Sequence, residues 1–391
     1  MEDAAYRTST QFKHWSFSSK ALTAARSKTV NKVLSNLHPS SSTPSPLTPE
    51  ELALYQRYIL YSAYTLATRH FQFPTNVTYT ILLFLQRFYL NHSPLAYSPT
   101  HIIRTAIFLT TKTENHYTPL NRFLQILEQA NADGRWKCTK DELLAPEFVV
   151  SIGLQWCFDV RQPFRALEGF VYELFDLVRT GEERENGVPT TSSYTPANPT
   201  EFPDGITPTR FFWEALRDEL ASMGMSLEDV SENAIRDTHA YSRNLLKTEV
   251  PVHESLTFRY TPPQLAMAAF SVKPVGRALI RAYLSLKSPQ DKSVVQKIFS
   301  LLDEIIMAVK EMESVVTAEF RDKKNWEDTF TEVVEKVNAW RAITGEVDFV
   351  ERDRKQKMER GGVEKERNGK RPRGRDEDVF GEETSRKRVE V

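Results

Sequence analysis

From Ser98 to Lys112 the chain sets Ile102, Ile103, Ala106, Ile107, Phe108 and Leu109 behind a Ser-Pro start. Wound as a helix, this segment is apolar on nearly every side, so it is stable in water only where other helices surround it. The flanking sequence supplies them. Thr48-Pro49-Glu50-Glu51 places a hydroxyl cap, a proline at the first helical position and acids in the first turn, and Leu52, Tyr55, Ile59, Ala63, Leu66 and Ala67 then recur at helical spacing to about His70. A second helix starts at Pro74, carries Ile81, Leu82, Leu85, Phe88 and Tyr89, and ends in the turn-forming Asn91-His-Ser-Pro94. Thr118-Pro119 opens a fourth with Leu120, Phe123, Leu124 and Leu127, and a fifth runs from Ala145-Pro146-Glu147 through Val149, Ile152, Leu154 and Trp156. The expectation is a five-helix bundle with the 98–112 segment at its centre.

Arg161-Gln162-Pro163 breaks this run, and a new helical series begins with Phe164, Leu167, Phe170, Val171, Leu174 and Phe175. Helices are then expected at 211–223, 227–248, 261–271, 275–286, 294–320 and 326–340. The stretch from Gly181 to Pro208 is dense in Thr, Ser, Pro and Asn and is expected to be a surface insertion, and Pro39 to Pro46 has the composition of a linker. Beyond about Glu351 charges alternate and aromatics almost vanish, which predicts a disordered extension. Strand-like alternation bounded by tight turns is almost missing, so the predicted fold is all-α.

Composition narrows the chemistry. With 51 Lys+Arg against 52 Asp+Glu in 391 residues, no global field points to nucleic acid or an anionic membrane. No apolar run approaches the roughly 18 to 20 residues that span a bilayer, and the polar start MEDAAYRTSTQFKHW lacks a secretory pattern; the expected setting is off the membrane. Cys138 and Cys157 have no Cys-x-x-Cys partner, fall short of a zinc site, and fit a reducing compartment. Glycine-rich phosphate loops are missing, and His253-Glu254 has no second histidine four residues on. The sequon Asn76-Val-Thr78 means little without secretion. No catalytic residue, metal site or cofactor is expected.

Two charges stand in apolar surroundings: Lys112, ending the third helix, and Glu147, starting the fifth. Each could be a bland surface group, Glu147 simply opposing a helix dipole. Alternatively, the two helices pack side by side and bring both charges to a surface that grips a partner. Spacing alone leaves both open.

The same stretches resemble a known family. Gln86-Arg-Phe-Tyr-Leu-Asn91, Tyr97-Ser-Pro99 and Ala106-Ile-Phe-Leu-Thr-Thr-Lys-Thr-Glu114 are similar to the core of the cyclin box, and Tyr260-Thr-Pro-Pro-Gln-Leu-Ala-Met-Ala-Ala269 is similar to the central helix of a second cyclin fold. Lys13-His-Trp-Ser-Phe-Ser-Ser19 and Pro163-Phe-Arg-Ala-Leu-Glu-Gly-Phe170 bring the resemblance to the cyclin H family, over Gln11 to about Arg341. It implies two tandem five-helix cyclin-box domains with flanking N- and C-terminal helices and a disordered charged tail. The expected division is an N-terminal helix and Ser/Pro-rich linker at 1–47, a first box at 48–160, a second cyclin fold at 161–322 with the insertion at about 181–208, a C-terminal helix at 323–345 and the tail at 346–391.

By residue, the resemblance implies kinase contacts through Lys112 and Glu147, with apolar contacts from Leu109, Trp156 and Phe158, each of which could equally be core. Thr113 departs from the aromatic that cell-cycle cyclins often carry there. His14 and Trp15 match the helix packed beside the box. Helix one, Leu52 to Ile59, does not resemble the Met-Arg-Ala-Ile-Leu docking patch, so Arg-x-Leu recruitment is not expected. The implied role is regulatory, without catalysis or cofactor: activation of a cyclin-dependent kinase in the TFIIH kinase module, joined by a RING-finger assembly factor and the TFIIH core, promoting phosphorylation of the RNA polymerase II repeat tail and, in many lineages, of other kinases, with no direct nucleic-acid contact. Lys370, Arg371 and Arg373 with Arg386, Lys387 and Arg388 have the layout of a bipartite nuclear import signal, or are merely a solvated charged tail. A sister transcriptional cyclin of C, K, L or T type is the first alternative. A TFIIB-like scaffold is the second, disfavoured because two cysteines cannot build its zinc ribbon and no folded segment reads as markedly basic.

Overall fold

The computed structural model describes residues 2–35, 45–130, 134–185, 207–321, 323–345 and 347–355, and among these no strand occurs. Three helices open the chain: α1 (Glu2–Thr8), α2 (Thr10–Trp15) and α3 (Ser19–Leu34). The expected single N-terminal helix needs correction, because Ser9 and Ser18 each accept a backbone N–H and start a new helix; most of the expected linker, at 39–44, lies outside the described residues.

The next six helices are α4 (Pro49–Thr65), α5 (Thr75–Asn91), α6 (Pro99–Thr113), α7 (Leu120–Gln129), α8 (Lys140–Leu144) and α9 (Glu147–Gly153). Thr48 caps α4 reciprocally, its Oγ1 accepting from Glu51 N while Glu51 Oε2 accepts from Thr48 N. α4 runs into one π-helical stretch, Leu66–His70. The short α8, which the periodicity did not predict, owes its start to a second capping box, Thr139 with Glu142. As expected, α6 is buried through most of its length. So is α5, including the polar Thr78, Thr80, Gln86 and Arg87, because α3, α4, α6, α9 and α12 all pack against it.

The second series comprises α10 (Phe164–Glu185), α11 (Pro208–Ser222), α12 (Glu232–Val252), α13 (Leu256–Arg259), α14 (Pro262–Phe270), α15 (Pro274–Lys287), α16 (Lys292–Arg321) and α17 (Lys323–Thr344). α10 extends to Glu185, five residues into the expected insertion, and α11 already starts at Pro208, the insertion's last expected residue, under a Thr207 cap; residues 186–206 lie outside the described residues. α14 is the apolar centre, with Leu265, Ala266, Ala268, Ala269 and Phe270 buried in one cluster with α10, α11, α12, α15 and α16. Its alanines let neighbours close in, and Gly276 of α15 is tighter still: a Cβ there would stand 2.0 Å from the Phe270 carbonyl oxygen.

Two further packings complete this unit, which runs to Val347. α17 lies along α4, with Lys336 Nζ donating to Glu51 (2.7 Å), Arg341 Nη2 donating to Tyr55 Oη (2.6 Å) and Trp340 Nε1 donating to Ser45 O (3.0 Å). At the junction of the two series, Trp15 and Leu22 pack with Leu90, Cys157 and Phe258. Here Arg87 is buried, donating to Cys157 O (3.0 Å) and to Gln11 Oε1 (3.1 Å) beneath the Trp15 ring. Burial pushes its guanidinium down to about 10, still charged at neutral pH. Gln86 Nε2 donates across the junction to Pro251 O at 2.6 Å. The second unit, Asp348–Val391, opens with helical structure at 349–355, not the disorder expected from 346, and holds a Lys355–Glu351 pair at 2.7 Å.

Candidate functional site

α6 and α9 pack side by side, and this joins two charges that lie far apart in sequence. Lys112 Nζ stands 2.5 Å from Glu147 Oε1, with side chains 37% and 27% exposed. Lys112 falls in the last turn of α6 and Glu147 in the first turn of α9, where each charge opposes the dipole of its own helix. The Phe108 ring lies 4.5 Å below the ammonium and limits where it can swing. An exposed pair of this kind contributes roughly 0 to 1 kcal/mol to stability, so its consequence is a fixed donor and acceptor presented at a surface.

Beside the pair, α9 and the turn that follows it expose hydrocarbon. Phe148 is 47% exposed, Ile152 48% and Trp156 59%; the spacing of four places the first two on one helix face. Phe148 and Trp156 meet edge-on at 6.0 Å, and Trp156 meets Phe158 at 6.1 Å. Large aromatics left in water against their solvation preference mark an interaction surface.

The backbone after α9 turns Trp156 outward. Gln155 and Trp156 both lie in the left-handed region, at φ 54° and 58°, uncommon for residues with a Cβ and costly for bulky ones. The turn is held by Gln155 N donating to Ile152 O (2.8 Å), Trp156 N to Ser151 O (3.0 Å) and Cys157 N to Leu154 O (3.0 Å). Gly153 lets α9 sit deep enough: a Cβ on it would come 2.7 Å from Phe88 Cδ2 and 2.9 Å from His92 Cε1. Asn91 Nδ2 donates to the Gly153 carbonyl at 3.1 Å and locks the approach.

The structure thus brings together Lys112, Glu147, Trp156 and the half-buried Phe158, and leaves Leu109 beneath them in the interior, 5% exposed. Thr113 is half-buried and donates back to Thr110 O at 3.2 Å. Trp15 belongs to the junction core, whereas His14 is exposed. Lys370, Arg371, Arg373, Arg386, Lys387 and Arg388 lie outside the described residues. Sequence reasoning missed Phe148 and Ile152; the signal was there in Phe148-Val-Val-Ser-Ile-Gly-Leu-Gln-Trp156, too apolar for a helix with one buried face. Among the described residues no cluster of side chains could hold a metal ion.

Comparison with known proteins places these features among others. Residues 162–317 match the family model described as Cyclin C-terminal domain. The chain is similar to Cyclin mcs2 of Schizosaccharomyces pombe, 31% identical over 182 residues that make up 43% of this chain and 54% of mcs2. It is also similar to Cyclin-H of Xenopus laevis, 28% identical over 178 residues, 43% of this chain and 54% of that protein. The chain spans about half the length of these curated relatives. In fold it is similar to a chain in the CAK complex of Chaetomium thermophilum bound to ATP-gamma-S, with a TM-score of 0.66 at 21% identity, covering 97% of this chain and 99% of that one.

Proposed function

We propose that the chain is a cyclin of the cyclin H kind, a regulatory subunit that binds and activates a cyclin-dependent protein kinase with α6 and α9 as the binding surface; the match of residues 162–317 to the Cyclin C-terminal domain model and the similarity to Cyclin mcs2 and Cyclin-H support this reading. The observation that carries this reading is the Lys112–Glu147 pair at 2.5 Å beside the exposed Phe148, Ile152 and Trp156. A paired cation and carboxylate offer a donor and an acceptor to a partner's backbone and fix register, while the aromatic ridge supplies apolar area at the centre of the contact.

The chain performs no chemistry. It acts by preferring one conformer of the kinase, that in which the kinase αC helix is turned inward and its Lys–Glu pair can hold ATP phosphates. Moving that equilibrium from about 1:99 to about 99:1 requires roughly 5.5 kcal/mol of differential affinity. A rigid surface is suited to this, since a flexible one would lose ordering entropy on binding.

The kinase is that of the TFIIH kinase module, its substrate the repeat tail of RNA polymerase II, with a RING-finger assembly factor and the TFIIH core as further partners. The chain then works in the nucleus, and the basic clusters at 370–373 and 386–388 import it. Reconstitution with the kinase subunit tests the reading. Lys112→Ala with Glu147→Ala should leave the helical signal and unfolding midpoint unchanged and lower phosphorylation of a polymerase-tail peptide by about tenfold or more; full activation by the double variant would remove the pair from the mechanism.

A further inference from the structure

No Asp or Glu occurs from Ala4 to Pro49, although acids slightly outnumber bases in the whole chain, and Arg7, Lys13, Lys20, Arg26, Lys28 and Lys32 all fall within that span. α3 is the longest helix in it. Its inner face is settled: Leu22 is buried in the junction core, Thr29 Oγ1 donates to Leu90 O at 2.9 Å, and Arg26 donates to the Glu254 carbonyl. Its outer face carries Lys20, Lys28 and Lys32, all exposed, and none forms an ion pair among the described residues. Residues 20, 24, 28 and 32 form one four-residue ridge of the helix, about 18 Å long.

We propose that this outer face of α3 is a docking surface for an acidic, Asp/Glu-rich polypeptide segment of a partner protein, held by Lys20, Lys28 and Lys32. Like charges kept in line with no acid between them repel one another, and an acidic occupant relieves that repulsion while releasing counterions. Spacing fits a polypeptide. Lys28 and Lys32 sit one helical turn apart, about 6 Å along the axis, and Lys20 two turns earlier; acids at every fourth residue of a helix, or every second residue of an extended chain at about 7 Å, match that interval. Nucleic acid fits less well. Its readers combine arginine with aromatic side chains, whereas α3 contains no aromatic residue and its one arginine is turned inward. The lysine ammonium is a point charge that accepts a carboxylate from many directions.

The test uses the full chain and a fluorescent glutamate-rich peptide of about 15 residues, longer as a helix than the ridge, titrated at low and at moderate salt. The chain should bind the peptide with salt-dependent affinity. K20S/K28S/K32S should weaken it by roughly tenfold, while K140S/K292S/K297S, which removes the same charge from other exposed lysines, should bind as the parent does. The reversed triple K20E/K28E/K32E, checked for an unchanged circular dichroism spectrum, should lose the acidic peptide and acquire a lysine-rich one. No binding by the parent chain, equal losses in both serine triples, or tighter binding of a DNA oligonucleotide through the same three lysines would each overturn the proposal.

Discussion

At the scale of single residues, Trp156 shows how backbone and side chain combine to make a surface. A tryptophan in the left-handed region costs free energy, and one that is 59% exposed gains little from burial in return. The gain comes when a partner covers it. Trp156→Ala should therefore weaken binding to the kinase subunit by about thirtyfold or more, the effect of losing roughly 2 kcal/mol at a hot spot, and leave the unfolding midpoint nearly unchanged; calorimetric titration beside a thermal melt separates the two. Unaltered affinity would place the anchor on α9 itself. The residue type was legible in the sequence, and so was the Lys112–Glu147 pairing as one of two readings. The outward turn of Trp156 was not, because φ at Gln155 and Trp156 depends on how the chain leaves α9 to reach the junction.

At the scale of elements, the depth at which α9 seats against α5 sets where Glu147, Phe148 and Ile152 stand. Gly153 is the closest approach, and the Phe88 ring it faces is itself enclosed. Gly153→Ala should destabilise the protein by about 1 to 3 kcal/mol and push α9 outward, so a urea titration should show a lower midpoint and kinase affinity should fall even though residue 153 is itself buried. A midpoint equal to that of the parent would mean that α5 yields easily. α17 illustrates a different element-scale effect. By lying along α4 and binding Glu51, Tyr55 and Ser45, it covers part of the helix that sequence reading had already judged unlike a substrate-docking patch.

At the scale of the molecule from Glu2 to Val347, the N-terminal helices act as a clasp between the two helical series. Trp15 covers Arg87, and Gln11 both accepts from Arg87 and from Arg161 N (2.8 Å) and donates to Arg161 O (3.3 Å). Phe17 N donates to Phe258 O at 2.8 Å. Trp15→Ala should cost about 3 to 5 kcal/mol and uncover the buried thiol of Cys157, so that, on a Cys138→Ser background, a thiol reagent should label Cys157 far faster than in the parent; equal labelling rates would show that the clasp does not guard the junction. The all-helical fold, the starts of α4, α6 and α14 at Thr-Pro or Ser-Pro, and the apolar centres α6 and α14 were determined by sequence alone, because caps and helical periodicity act over three or four neighbouring residues. Only the tertiary structure decided that Arg87 is buried beneath Trp15, that Lys112 meets Glu147 across 2.5 Å, that Phe148 and Ile152 face water, and that α3 turns its lysines outward. Each of these depends on which helix covers which face, and that is a property of contacts between residues tens to hundreds of positions apart.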